Sequence, residues 1–304
     1  MKKINVIIGL VLAILLVGCD KDYLNRFPED QPNSATYFTT AEQLNLAVNG
    51  AYSTLSYQQD GFPYQMQLEG TSDVVWQRPN TDAQAIGLGQ HTSNTTMIRT
   101  IWTQSYIGIG RCNMLLDNMS KAKAVTPAAQ YSRIEGEAKF LRAYYYANLI
   151  SLYGDVPLVV KSIAPEESFL PRTSKVEVLN FIFTELDSAA AKLPLSYTGT
   201  DIGRATKTSA LALKARIALY NSKWDIAAAA SKSVMDLGYH SLYPNYRNLF
   251  MYAGENSRES IFAFDYKLTI RTTATPQNNQ ARNSSGFSGL VPGNLIGLMN
   301  INQV

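Results

Sequence analysis

Residues 60–97 form a polar segment with a single tryptophan, Trp76, and Asp73, Arg78 and Asn80 lie close to it in sequence. An indole face packs well against the C–H surface of a sugar ring, while carboxylate, guanidinium and amide groups exchange hydrogen bonds with hydroxyl groups. These four residues therefore predict a binding site for a hydroxyl-rich ligand. The alternative interpretation is that Trp76 anchors its loop by packing on the body of the protein.

The sequence shows no catalytic arrangement of residues. Two carboxylates that hydrolyse a glycosidic bond must face the sugar about 5–10 Å apart. Glu135 with Glu137, and Glu166 with Glu167, are near neighbours in sequence that point in different directions, and we expect them to be solvated. No glycine-rich phosphate loop is present in the sequence. We therefore expect that the protein is not an enzyme and holds neither a cofactor nor a metal.

Composition and charge narrow the classes of protein further. The chain has 304 residues with 27 Lys and Arg against 24 Asp and Glu, a formal charge of +3. A nucleic-acid binder would need a strong basic patch, so that class is disfavoured. Two Cys and two His argue against a structural zinc site and a disulfide framework. Cys112 lies among apolar residues, and we expect it to be an inert core residue.

The N-terminus predicts an export signal. A basic start precedes an apolar run at residues 6–17, which is too short for a membrane span of roughly 20 residues, and LVGC follows at 16–19. This resembles the bacterial lipobox, which implies that residues 1–18 are a signal peptide and that Cys19 carries a diacylglycerol and an N-acyl chain. The alternative is an ordinary buried Cys. Residues 20–22, Asp-Lys-Asp, resemble the surface-export signal of Bacteroidetes lipoproteins, or else form part of a solvated tether.

Helical spacing of apolar residues predicts a mainly α fold after a tether at residues 19–38. Thr39 with Glu42 predicts a capping box at the first helix, and Ser174 with Glu177 predicts another. We predict helices over residues 39–55, 98–119, 126–152, 174–193, 208–221 and 224–237.

The last two predicted helices are separated by so few residues that they must form an antiparallel hairpin. On its second helix, Trp224, Ala228, Ser231 and Met235 recur in a pattern that resembles tetratricopeptide packing. We expect Trp224 to be a core residue, as we do Trp102, which lies on an amphipathic stripe of an earlier helix.

The order of segments resembles the SusD/RagB family of outer-membrane nutrient-binding lipoproteins. The stretches that carry the resemblance are the lipobox at Cys19, YLN at 23–25, NGAY at 49–52, RCN at 111–113, EAKFLRAYYY at 137–146, LYGDVPL at 152–158, PR at 171–172, GRAT at 203–206 and ALKAR at 212–216. The resemblance implies tetratricopeptide-like helix pairs with long ligand-binding loops and a C-terminal subdomain.

The predicted domain organisation combines these signals. Residues 1–18 are the signal peptide, 19–38 the lipidated tether, 39–270 a SusD-like helical domain and 271–304 the start of a C-terminal subdomain that is incomplete here. The apolar run at residues 261–264 is compatible with a short strand near the end of the helical domain.

The resemblance also implies a function. Family members bind a nutrient glycan at the cell surface and pass it to a SusC-like TonB-dependent transporter, so we expect an outer-membrane lipoprotein with these two partners and no nucleic acid. In the family the glycan lies across loops after the first helix, which are residues 60–97 here. Two alternatives stay open: the same scaffold binding oligopeptides, and a surface glycosidase. The sequence does not name the ligand.

Overall fold

The computed structural model describes residues 37–263, except residues 57, 60–61, 64–67, 74, 76–80, 252–253 and 255–256. Within these residues the chain is mainly α, which confirms the predicted fold class. The helices are α1 Ala41–Ser53, α2 Asp82–Gly87, α3 Thr96–Asn118, α4 Ala128–Tyr153, α5 Lys175–Lys192, α6 Lys207–Tyr220, α7 Trp224–Asp236 and α8 Tyr246–Leu249, and two short antiparallel strands are β1 Gln58–Gln59 and β2 Phe62–Pro63.

The first helix starts one residue later than predicted. Thr40, not Thr39, is the N-cap of α1, and its partner in the capping box is Gln43 rather than Glu42. Gln43 takes the place predicted for Glu42 because its Oε1 accepts from the backbone N–H groups of both Thr39 and Thr40, at 2.8 and 3.2 Å. At α5 the N-cap half of the predicted capping box is confirmed, since the Ser174 hydroxyl accepts from the Glu177 backbone N–H.

Helix α4 is the centre of the fold. It packs against α1, α3 and α5, and its residues are buried on nearly every side rather than along one stripe, as expected of a central helix. Leu152 has the helical spacing of the buried residues Tyr145 and Leu149, but it is 46% exposed because it lies in the last turn of the helix. The helix ends at Gly154, whose φ of 74° favours glycine.

The helices from α3 to α7 stack in sequence order, each against the next. In the last hairpin, Ala227 and Ala230 are the buried residues of α7, and these small side chains allow close approach to α6. The expectation that Trp224 is a core residue is wrong, because its side chain is 60% exposed; Met235 is 77% exposed. Both lie on a different side of α7 from the two buried alanines.

The connection between α4 and α5 is held by side chains that bind its backbone. Asn113 Nδ2 donates to the carbonyl oxygens of Val159 and Lys161, at 2.9 and 3.0 Å. Arg142 Nη1 donates to the Val160 carbonyl, and Tyr146 exchanges hydrogen bonds with both backbone groups of Val159. We call residues 156–162 the strap, since these contacts tie them along α3 and α4.

The chain after α8 returns to the core without forming the predicted strand at residues 261–263. Phe262 is buried and packs edge-on against Phe140, with ring centroids 5.0 Å apart. The Ser209 hydroxyl donates to the Ile261 carbonyl at 3.2 Å, so a bend here closes over the start of α6.

Several predictions fall outside the described residues and stay predictions. These are the signal peptide at 1–18, lipidation of Cys19, the tether apart from its last two residues, and the subdomain start at 271–304. Within the part of the chain that the structure describes, no helix is both long and apolar enough to span a bilayer.

Candidate functional site

Of the four predicted ligand residues, the structure describes Asp73. Its side chain is exposed on the turn that follows Leu68. Trp76, Arg78 and Asn80 lie outside the described residues, so whether they converge with Asp73 stays a prediction.

The turn that carries Asp73 is pinned to the helical body. The Thr71 backbone N–H and hydroxyl both donate to the Leu68 carbonyl, at 3.0 and 2.7 Å. Gly87, in the last turn of α2, approaches this turn so closely that an added Cβ would lie 2.9 Å from the Thr71 carbonyl oxygen. Only a glycine fits this contact without a shift, so α2 packs directly against the turn that leads to Asp73.

Helix α2 was predicted to be part of a loop, and a cap together with a tertiary contact explains its formation. The Thr81 hydroxyl accepts from the Gln84 backbone N–H and caps the helix. Asp82 Oδ2 then accepts from the Met97 backbone N–H at 2.8 Å, at the start of α3. One short helix therefore links the segment that bears Asp73 to the long helices.

The underside of this segment is apolar. Ala83, Met97 and Ile101 are buried together, and Leu68 and Tyr153 pack against them with Ile86. The cluster thus joins the turn of Asp73 to the last residue of α4. Burial of these side chains, at about 25 cal/mol per Å² of apolar area, holds the segment on the body.

Three aromatic side chains adjoin that cluster and form what we call the aromatic shelf: Trp102, Tyr106 and Tyr153. The Trp102 centroid lies 5.0 Å from that of Tyr106 and 5.1 Å from that of Tyr153, the latter edge-on. All three are only partly buried. Trp102 was predicted to be a core residue, but the structure places it at the edge of the core. There its ring packs against Tyr153, at the C-terminal end of α4.

The hydroxyl groups of the shelf are engaged by backbone carbonyls. Tyr153 donates to the Ile98 carbonyl at 2.6 Å, and Tyr106 donates to the Pro157 carbonyl at 2.8 Å. Burial raises the pKa of Tyr153 to about 12 and raises that of Tyr106 above its ordinary value. Both phenols stay neutral donors at physiological pH, so the shelf is an uncharged cluster of three aromatic rings at the edge of the core.

The shelf was not recognised in the sequence. A signal for half of it exists, since Trp102 and Tyr106 are four residues apart on one helix and must be neighbours. Tyr153 comes from the end of a different helix, and no local pattern predicts that it meets them.

The sequence-adjacent carboxylates serve the fold rather than a reaction. Glu137, expected to be solvated, is fully buried and forms ion pairs with Arg133 and with Arg204, the latter at 3.0 Å. Glu135 bridges Lys139 and Lys192 at 3.1 Å each. Both carboxylates of this pair are therefore occupied by cations of the same chain.

The remaining candidates agree with their predicted roles. Glu166 and Glu167 are exposed, as expected. Cys112 is fully buried, which confirms a core residue, and burial raises the pKa of its thiol to about 12, which disfavours the reactive thiolate.

A family model described as SusD-like, starch-binding and associating with the outer membrane matches residues 22–219. Among curated proteins, the chain is 27% identical over 286 residues to SusD-like protein P25 of Formosa agariphila, which covers 89% of this chain and 53% of that one. A SusD-like protein of Bacteroides ovatus is 24% identical, covering 87% of this chain and 50% of the other. The chain spans about half the length of the curated relatives it matches.

Solved structures give the same picture. A SusD-like carbohydrate-binding protein from Bacteroides fragilis is 29% identical with a TM-score of 0.69, covering 76% of this chain and 47% of that chain. Surface glycan-binding protein A from Bacteroides uniformis is 27% identical with a TM-score of 0.67, covering 75% and 53%. The helical stack described above is thus shared with proteins that bind carbohydrate.

Proposed function

Because this chain belongs to the SusD-like family, also called SusD/RagB, we propose that it binds a nutrient glycan at the bacterial surface without chemically altering it. The observation that carries the proposal is the family match over residues 22–219, which includes the segment of Asp73 and the helices that hold it. The relatives named above include a carbohydrate-binding protein and a surface glycan-binding protein.

The geometry around Asp73 supports a binding role. Its turn is held by α2 and by the cluster of Ala83, Met97 and Ile101, so the exposed carboxylate is presented from a rigid base. A preorganised site loses little conformational entropy when a ligand binds. The indole of Trp76 would supply the stacking face, while Asp73, Asn80 and Arg78 would exchange hydrogen bonds with sugar hydroxyls.

A binding screen of soluble oligosaccharides and oligopeptides first identifies a ligand. Titration calorimetry then measures the affinity of the wild type and of Trp76→Ala for the oligosaccharide that binds. Removing a central aromatic side chain from such a site commonly lowers affinity by about 2 kcal/mol or more, which is about thirtyfold. The thermal midpoint should change little. The matched control is Tyr246→Ala, which removes an aromatic ring that is 79% exposed on α8, outside the predicted site.

Two results would contradict the proposal. One is a screen in which peptides bind and no glycan does. The other is a Trp76→Ala variant with unchanged glycan affinity and a large loss of thermal stability, as expected if Trp76 is a loop anchor. Release of reducing sugar from a bound polysaccharide by pure protein would contradict the non-enzymatic part.

We propose further that lipid on Cys19 anchors the protein in the outer membrane, facing the cell surface, and that it passes its glycan to a SusC-like TonB-dependent transporter. The match to an outer-membrane-associated family and the lipobox support this assignment. Affinity purification from membranes in mild detergent should recover such a transporter, and protease added to intact cells should degrade the protein. Recovery without any transporter, or full protection from protease, would contradict it.

A further inference from the structure

Helix α7 carries an apolar stripe on its solvent side. At 100° per residue, Trp224, Ala228, Ser231 and Met235 fall within an arc of about 60°. We call these four residues the outer stripe. Trp224 is 60% and Met235 77% exposed, whereas the helix packs on α6 through Ala227 and other residues on a neighbouring side. Large apolar side chains exposed on one side of a helix are a candidate interaction surface.

The pattern of large and small side chains in the outer stripe is the same when the helix direction is reversed. Large side chains stand at its two ends, Trp224 and Met235, and small ones stand inside, Ala228 and Ser231, symmetric about a point midway between residues 229 and 230. An antiparallel copy of α7 related by a two-fold axis through that point places Trp224 opposite Met235 of the second copy. Ala228 then faces Ser231 of the second copy, so that the helix axes can approach closely.

The charges beside the stripe follow the same symmetry. Asp225 and Lys232 lie on the edge of α7 that faces away from α6, about 70–90° from the centre of the stripe. With a rise of 1.5 Å per residue, Asp225 comes within about 3 Å, along the axis, of Lys232 in the second copy. The symmetry generates this opposite-charge pair twice. Lys232 already bridges Asp236 at 2.7 Å, which keeps its ammonium group over that edge.

We propose that the outer stripe binds the same stripe of a second copy of this chain, forming an isologous antiparallel dimer. Two-fold interfaces of this type use one patch on both partners. The two α6–α7 hairpins then make a four-helix bundle, and each indole packs on the thioether of the other copy's methionine.

Oxidative cross-linking tests the proposal in the full lipoprotein on intact membranes. In the dimer, position 231 of the two copies is about 4.5 Å apart along the helix axes, so Ser231→Cys should form a disulfide-linked dimer under mild oxidation. Ser233→Cys is the matched control, since it lies on the opposite side of α7. The native Cys112 is buried and does not compete. The expected result is a dimer band for position 231 that reductant removes, and little or none for position 233.

Charge reversal separates the specific dimer from random contact. In the Ser231→Cys background, Asp225→Lys should reduce the cross-linked fraction severalfold, and adding Lys232→Asp should restore it. Met235→Lys should abolish it. Equal cross-linking at positions 231 and 233, or no response to the charge reversal, would overturn the proposal. If the protein stays monomeric and Ser231→Cys does not cross-link, the stripe serves another segment or another protein, and the second copy is the wrong occupant.

Discussion

Replacing Arg142 by Met is expected to lower the free energy of unfolding by about 3–5 kcal/mol. Arg142 is 7% exposed, and its guanidinium contacts Glu185 Oε2 through Nε and Nη2, at 2.8 and 2.6 Å. Its Nη1 donates to Asn113 Oδ1 at 2.8 Å and to the Val160 carbonyl at 3.1 Å. One side chain therefore joins α3, α4, α5 and the strap.

The magnitude follows from what the substitution leaves behind. Methionine keeps most of the apolar stem, so the loss is of charge and hydrogen bonds rather than volume. Glu185 is 6% exposed and would remain as a buried carboxylate without its cation. For a domain of this size, each kcal/mol shifts the thermal midpoint by about 2–4 °C, which predicts a drop of about 6–20 °C.

Urea denaturation followed by far-UV circular dichroism measures the effect in Arg142→Met, Glu185→Met and the double variant. The double variant should be more stable than the sum of the two single losses implies, by about 2 kcal/mol, because two apolar side chains leave no unpaired buried charge.

The pH dependence gives a second readout. Burial raises the pKa of Glu185, an effect that Arg142 opposes. Without Arg142, the folded-state pKa lies further above that of the unfolded chain, so folding favours the protonated carboxyl. The variant should therefore be least impaired near pH 5, and its deficit should grow as pH rises through the folded-state pKa.

The control is Lys121→Met, since Lys121 is exposed and its ammonium group donates to Asn118 Oδ1 at 2.8 Å. A surface substitution of this kind changes the free energy of unfolding by about 0.5 kcal/mol or less. The reasoning about Arg142 is refuted if its substitution loses less than about 1 kcal/mol, or if the losses in the double variant simply add.

Three further outcomes are expected. Cys19→Ala should release the protein from the membrane fraction and prevent uptake of labelled palmitate, whereas a variant that stays membrane-bound beside an unlabelled wild type would contradict lipidation. Gly108→Ala should destabilise by about 1–3 kcal/mol in urea denaturation, since its methyl group would overlap the Tyr145 ring, while Gly110→Ala, with open space around it, should stabilise slightly. The Cys112 thiol, with a pKa of about 12, should resist a thiol reagent at pH 8 until urea unfolds the chain, and rapid reaction of the native protein would show that the site is open.

Most of the helical framework can be predicted from local pattern. The stops and starts of α3 to α7 follow from residues such as Gly154 and Ser174, whose effects are local. Helix α2 was missed because its stability comes from tertiary contacts, through Asp82 to the start of α3 and through Gly87 to the turn of Thr71. In a six-residue helix such contacts outweigh propensity.

Burial was harder to predict than helix position. The outer stripe has the spacing of a core face, yet α6 covers Ala227 and Ala230 instead. The prediction failed because periodicity does not show which of two apolar sides of a helix meets the neighbouring helix. Glu137 was misjudged because its partners Arg133 and Arg204 come from four and 67 residues away, and only the near one is visible in a local pattern. For the same reason, no local pattern predicts that Tyr153 meets Trp102 and Tyr106 in the aromatic shelf.

The strap is held through hydrogen bonds to its backbone groups rather than through its side chains. Asn113, Arg142 and Tyr146 bind carbonyl and amide groups of Val159, Val160 and Lys161, and every residue type supplies the same carbonyl group. The side chains of Val160 and Lys161 point to solvent and take no part in these bonds. Sequence at those two positions can therefore drift, or be redesigned to carry a label or a new binding group, while the path of the chain between α4 and α5 stays the same.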